Sequence, residues 1–490
     1  MNPTTRLARR LRPTSFRPQA TIALGTLLLT LALAAPAAAQ DGVQTLHFEY
    51  GPVKIAPGQN TIELEPNDLK PAVNGWITGF RPNLVRRDGS VPRVDVIHLH
   101  HGVWLQNLRP LFAAGEEKTA ITAPPGHGWR FETADKWHMN HMIHNLTPTA
   151  EEVFITYDVD FVPDGTPAAA GMHEIETIWL DTVGGAYPVF DARRGTGGAD
   201  RRLTFPDEVK GAERNAWTVP QDGALVGTAG HLHPGGLWTD LTLTRDGRST
   251  RLFRSKAEYY EPAGAVSWDV SMTVTPADWR VQVREGDVLS VSGTYDTRKA
   301  SWYESMAIMP TMFDPGGTGA DPFTADVDVE GEVTHGHLPE NDGHGGSRMT
   351  GLPDPRELLS RPMPARGKVA IQGFVYGQGD LSSTGRRGRP AQVRAGRGLR
   401  FVNRDAKRTI YHTITACRAP CNRSTGIAYP LADGKVDFDS GELGFGPEGF
   451  TAAANRATWT TPKGLKAGTY TYFCRVHPFM RGAFKVKPKS

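Results

Sequence analysis

YTYFCRVHPFMRGAF, residues 470–484, places Cys474, His477 and Met480 at C-x2-H-x2-M spacing. A thiolate, an imidazole and a thioether on one turn make a copper ligand set. The missing imidazole is supplied by His412 in the strand-like segment TIYHTIT at 409–415. Two histidines and a cysteine in a trigonal arrangement, with a weak axial methionine, form a soft and constrained site suited to one-electron Cu(I)/Cu(II) cycling. The competing reading makes Cys474 and Met480 core residues and His477 a surface residue, but it leaves the spacing to chance.

The likeness extends outward from this turn. VRAGRGLRFVNRD at 393–405 leads into His412, and LKAGTYTYFCRVHPFMRGAFKV at 465–486 closes the segment. From about residue 368 to 486, roughly a quarter of the chain, the sequence resembles the plastocyanin-type cupredoxins. That resemblance implies a Greek-key β-sandwich, one type 1 copper and electron transfer.

Residues 1–39 join a basic start (Arg6, Arg9, Arg10, Arg12, Arg17) to an apolar run over 22–35 and to Ala37-Ala38-Ala39. This reads as a secretory signal peptide cleaved after Ala39, placing the mature protein in the periplasm or outside the cell. The apolar run is short for a membrane span, and no later segment approaches the ~18 apolar residues that a span requires. The formal net charge of +3 loses five arginines and no acid with this segment, leaving about −2. Such a balance gives no basis for nucleic-acid binding.

Three cysteines occur in the chain. With Cys474 given to copper, Cys417 and Cys421 remain as a C-x3-C pair, read as a disulfide in an oxidising compartment or as two unreacted thiols.

Period-two alternation between turn residues dominates before the connector, as in VDVIHLHH (94–101), EEVFITYDVDFV (151–162), LWTDLTLTR (237–245) and VQVREGDVLSVSGTY (281–295). With 54 Gly and 37 Pro as punctuation, the chain reads as all-β sandwiches. The clearest helix signal is the short DPRELLSR at 354–361. A Pro- and Gly-rich connector over 331–366 holds His335, His337 and His344, read either as incidental linker residues or as a contribution to metal capture.

Histidines recur at strand ends. IHLHHGVW offers His98, His100 and His101, and the adjacent pair can share one metal only where a bulge or strand end turns successive side chains together. KWHMNHMIHNLTP offers His138, His141 and His144; GTAGHLHPGG offers His231 and His233 on one strand face; SWYESMAIMPTMF supplies Met306, Met309 and Met312. One such pair is commonly a packing feature, but three clusters in a chain with a copper motif favour metal binding.

In this order the clusters resemble the copper type II, ascorbate-dependent monooxygenases, the group of peptidylglycine alpha-hydroxylating and dopamine beta-monooxygenases. The resemblance implies two tandem jelly-roll-like β-sandwiches, here 40–165 and 166–330, ahead of the linker at 331–366 and the cupredoxin at 367–490. It places one copper on His100, His101 and His144, with His141 as an alternative to His144, and a second, catalytic copper on His231, His233 and Met306. It further implies two coppers facing each other across a solvent-filled cleft. The segment departs from the family's eukaryotic members in having no cysteine.

The expected activity is hydroxylation of a C–H bond with O2, using one type 1 and two type 2 coppers and an external electron donor. The substrate, small molecule or peptide, is not legible. A copper-binding electron-transfer protein without oxygenase activity is the alternative. A multicopper oxidase is disfavoured because Phe473 and Arg475, rather than histidines, flank Cys474.

Overall fold

The structure is a computed structural model that describes residues 42–489, except 60–61, 95, 116–117, 148, 185–187, 261–268, 299–300, 339–353, 382–387, 409, 420, 422–436, 445–455 and 478. The expected signal segment and His344 lie outside the described residues. Among those residues the regular structure is strand with a few 3-10 turns, and no helix is long and apolar enough to cross a membrane.

The first sandwich packs a sheet ordered Gln44–Ile55, Glu151–Pro163, Gly75–Arg86, His127–Phe131 and His173–Glu174 against a second ordered Ile62–Pro66, Trp137–Asn145, Ile97–Gln106 and Arg109–Gly115. Alternate residues point inward, so Ile77 and Phe80 of one sheet meet Trp104, Phe112 and Ile143 of the other.

In the second sandwich, Glu176–Asp181, Ala307–Pro315, Gly223–Thr228 and Val281–Val283 face a sheet built around Val288–Asp296, Gly236–Arg245 and Arg248–Tyr259. Leu225, Val281, Met309 and Phe313 fill the space between these sheets with Leu241, Leu243 and Val291.

The C-terminal sandwich has two short sheets. One is ordered Lys368–Ile371, Arg400–Asn403, Thr458–Thr460; the other Ala391–Arg394, Arg481–Lys487, Gly468–Phe473, Thr415–Cys417. Each contains one parallel pair, Lys368–Ile371 with Arg400–Asn403 and Ala391–Arg394 with Arg481–Lys487.

The three cores touch. Ala224, Val226 and Met312 join the first core, and Val94 of the first sandwich packs in the C-terminal one. The connector is anchored at both ends: Glu332–Val333 pairs with Val270–Val274, and Leu358 packs with Leu381 and Ala483. Where DPRELLSR reads as a helix, the chain forms only the 3-10 turn Pro355–Leu358, with the Asp354 side chain accepting from the Arg356 backbone N–H. His335 and His337 are used as ties: the His335 carbonyl accepts from the Tyr260 hydroxyl at 2.6 Å, and the His337 ring bonds to buried Asp269.

Candidate metal centre

The hairpin of Gly468–Phe473 and Arg481–Lys487 has a loop long enough to carry three donors, and Cys474 is its first residue. Antiparallel pairing with Thr415–Cys417 brings His412 alongside. His412 Nδ1 and His477 Nδ1 lie 3.2 Å apart, and Cys474 Sγ is 3.9 and 3.7 Å from them. All three side chains are fully buried. Among the described residues this is the one group of three His, Cys, Asp or Glu side chains whose donor atoms all lie within 4.8 Å of one another. Met480 is buried beside them, and its carbonyl accepts from the Cys474 N–H at 3.0 Å.

Second partners orient each donor. His412 Nε2 meets buried Asp405 at 3.1 Å, whose carboxylate also accepts the Gly373 and Phe374 N–H groups. The sulfur accepts two backbone N–H groups, from Thr413 and His477, at 3.3 Å each. These favour a thiolate, but burial dominates and pushes the metal-free thiol up to about 11. A cation that displaces the proton resolves that cost, and the His2Cys donor set fits copper.

Cys417 and Cys421 are bonded at a Cα–Cα distance of 5.4 Å, in the loop after the His412 segment.

His477 also reaches the first sandwich. It is fully buried, and its Nε2 lies 2.8 Å from the carbonyl oxygen of Gly58 in the first sandwich. Gly58 has φ +64°, and a Cβ there would lie 2.8 Å from His477 Cδ2 and 2.6 Å from Phe374 Cε1, so only glycine fits. On the other side, buried Arg475 donates to Asp439 at 2.8 Å and to the Ser301 carbonyl at 2.6 Å, with its guanidinium over the Tyr303 ring. The residues around Cys474 therefore seat the C-terminal sandwich on both others.

In the first sandwich, Ile97–Gln106 pairs with Trp137–Asn145, placing His98 opposite His144. The register slips between Leu99 and His101, and His100 is the extra residue of this bulge. The bulge turns two successive imidazoles together, leaving His100 Nδ1 and His101 Nδ1 3.5 Å apart. The third expected ligand, His144, sits 6.3 Å from His100 between ring centroids and 5.2 Å from His98. These three do not close into a group like the one around Cys474. His141 turns to Tyr50 and Glu63 on the other side of the strand.

In the second sandwich, the His231 and His233 rings are 5.1 Å apart at right angles. His231 pairs with Ile308, beside Met306, where the chain leaves its pairing with Phe190–Ala192 and enters the main sheet. Glu304, just before, adopts φ +54°, a strained conformation for a non-glycine residue. Tyr295 ties the segments together: its hydroxyl accepts from the N–H groups of His233 (3.1 Å) and Met306 (3.2 Å) and donates to the Met306 carbonyl (2.6 Å). Met309 and Met312 are core residues.

The two histidine groups are in contact instead of facing across a solvent-filled gap, with His100 and His233 rings 4.6 Å apart. Beside them lies a largely apolar cavity of about 110 Å³, lined by His101 and Asn140 from the first sandwich and by His231, Met306 and Trp179 from the second. Burial holds His98, His100 and His233 well below the ordinary imidazole range and brings His101 and His144 to about 4. These are neutral imidazoles, the form that binds metal.

The sequence reading missed Gly58, Tyr295, Arg475 and Asp405. Asp405, in VNRD shortly before His412, lies close enough in sequence to suggest a partner for that ring. The other three act across long separations that no local pattern reports.

No family model matches the chain, and no curated protein matches it. Among solved structures, a copper-containing nitrite reductase from Thermus scotoductus SA-01 aligns at 13% identity over 55% of this chain and 59% of its own, with a TM-score of 0.16. The structure of Sulfolobus Turreted Icosahedral Virus aligns at 10% identity over 57% of this chain and 96% of its own, with a TM-score of 0.12. At these scores neither likeness carries an argument about function.

Proposed function

We propose that the chain is an exported copper-dependent monooxygenase in which the C-terminal sandwich, as a type 1 centre, relays electrons to histidines between the first two sandwiches. There O2 would hydroxylate a C–H bond of a small-molecule or peptide substrate, with the electrons drawn from an external donor. What supports this reading is a continuous run of rings, buried from His412 to His233 and ending on half-buried His231. Centroid distances are 5.0 Å from His412 to His477, 6.5 Å to His144, 6.3 Å to His100, 4.6 Å to His233 and 5.1 Å to His231, which lines the cavity with Met306.

Bound copper would supply one-electron transfer and, where Met306 accompanies His231 and His233, the thioether would favour the reduced ion that meets O2. The protein's own part is to keep His100, His101, His144 and His233 neutral by burial, to hold His233 and Met306 together through Tyr295, and to wall the cavity with apolar groups.

The test is stopped-flow reduction of the type 1 colour followed by its return under O2. Return should slow at least tenfold in a His231→Ala, His233→Ala variant; an unchanged rate would send the electrons elsewhere. One observation favours the alternative of an electron-transfer protein without oxygenase activity: the cavity is about 110 Å³, against roughly 300–1,000 Å³ for typical ligand pockets. Hydroxylated product formed from any candidate substrate would separate the two readings.

A further inference from the structure

We infer that the histidines of the first two sandwiches form a single interdomain centre in which two coppers share neighbouring ligands, in place of two independent sites. The inference rests on the reading that copper binds among these residues.

The His412–His477 pair of the type 1 centre provides an internal ruler, because its rings are 5.0 Å apart and its facing nitrogens 3.2 Å. Three ring pairs between the sandwiches match that spacing: His98–His144 at 5.2 Å, His100–His233 at 4.6 Å and His231–His233 at 5.1 Å. A fourth, His100–His101, has its rings 5.7 Å apart but its Nδ1 atoms at 3.5 Å. That separation suits two imidazoles on one ion at about 2 Å each.

The pairs overlap. His100 belongs to one with His101 and to another with His233, and His233 also pairs with His231. Two isolated sites would give closed trios separated by a gap; a chain of overlapping pairs fits two adjacent ions, like those of two-metal sites roughly 3.5–4 Å apart.

The orienting device of the type 1 centre recurs here as well. His477 presents Nδ1 because Gly58 takes its Nε2, and His101 presents Nδ1 with Asn140 Oδ1 3.2 Å from its Nε2. His98 is set the other way, with Val94 O 2.5 Å from its Nδ1, so that its Nε2 is the ligand atom. Pinning one ring nitrogen to an oxygen fixes the tautomer and the direction of the other.

Two Cu(II) ions this close and joined by a bridging hydroxide drawn from water have coupled spins that cancel at low temperature, whereas separate ions each give a full signal. The test uses the mature full-length protein, loaded with copper and fully oxidised, with total copper and the integrated electron paramagnetic resonance intensity measured on the same sample. The inference expects three coppers but about one spin per chain, carried by the type 1 centre. Three coppers with three spins would overturn it while leaving the proposed function standing. Fewer than three coppers would overturn it as well, and a single copper would also remove the basis for the proposed function. His233→Ala adds a signal that misfolding does not produce: copper falls from three to two while spins rise from one to two, with the type 1 colour intact. A fall in copper with no new spin, the colour being kept, would count against the shared centre. If that variant does not fold, the wild-type spin count still decides.

Discussion

The His412–Cys474–His477 group and the histidine cluster between the first two sandwiches are both rich in imidazole and largely buried, yet they are built in different ways. The first draws all its donors from one sandwich, and its three donor atoms already lie within 4.8 Å of one another. The second is assembled from two sandwiches, and its rings meet pairwise along a chain. A site within one hairpin and its neighbouring strand is organised as that domain folds. A site between domains depends on their packing and on side chains, such as Tyr295, that hold distant segments together.

Four measurements break or sharpen this contrast. The largest effect is expected for Cys474→Ser, which removes the thiolate behind the intense charge-transfer colour; the colour should vanish completely while copper among the other histidines is retained. Retention of the visible band would refute the assignment of the sulfur.

Acid should act on the interdomain cluster of the metal-free protein. His101 and His144 have folded-state values of about 4, below the ordinary 6.5, because burial disfavours their charged forms. The unfolded chain therefore takes up these protons first as pH falls. Their contribution is complete above pH 6.5 and is lost between 6.5 and 4, by about 3 kcal/mol for each histidine. Urea midpoints at pH 7, 5.5 and 4 would follow the loss, and a level profile from 7 to 5 would contradict it. Copper should flatten the same profile, since a ligated nitrogen cannot be protonated.

Tyr295→Phe tests the cross-tie. Without the hydroxyl, the backbones of His233 and Met306 lose their common partner. Copper affinity among the interdomain histidines should fall about 10–100-fold, the usual effect of losing an orienting group. The type 1 colour should not change, and titration with a competing chelator would read both. The smallest effect is expected for Met480→Leu, which should keep the colour and raise the potential measured by redox titration, because an axial ligand tunes the site without building it.

How much of this was legible in the sequence follows the same division. Cys474, His477 and Met480 declare themselves because one turn holds them at fixed spacing, and the all-β architecture follows from period-two alternation. The condition for His100 and His101 to act together, a bulge, could be stated from strand geometry, and the register slip after Leu99 supplies it. The contact between His100 and His233 could not be read, since it depends on how two sandwiches pack 133 positions apart in the chain. Nor could the burial of His477, because the oxygen that meets it belongs to Gly58, 419 residues earlier.

That last contact changes what kind of carrier the C-terminal sandwich can be. A mobile electron shuttle works by collision, offering an imidazole edge to one partner and then to another, and its rate rises with partner concentration. Here the edge is occupied by the same polypeptide, and a glycine is required to let it come so close. In the proposed relay the onward step is then a property of each single molecule, first order and indifferent to dilution, and the sandwich would serve as fixed wiring with a built-in destination.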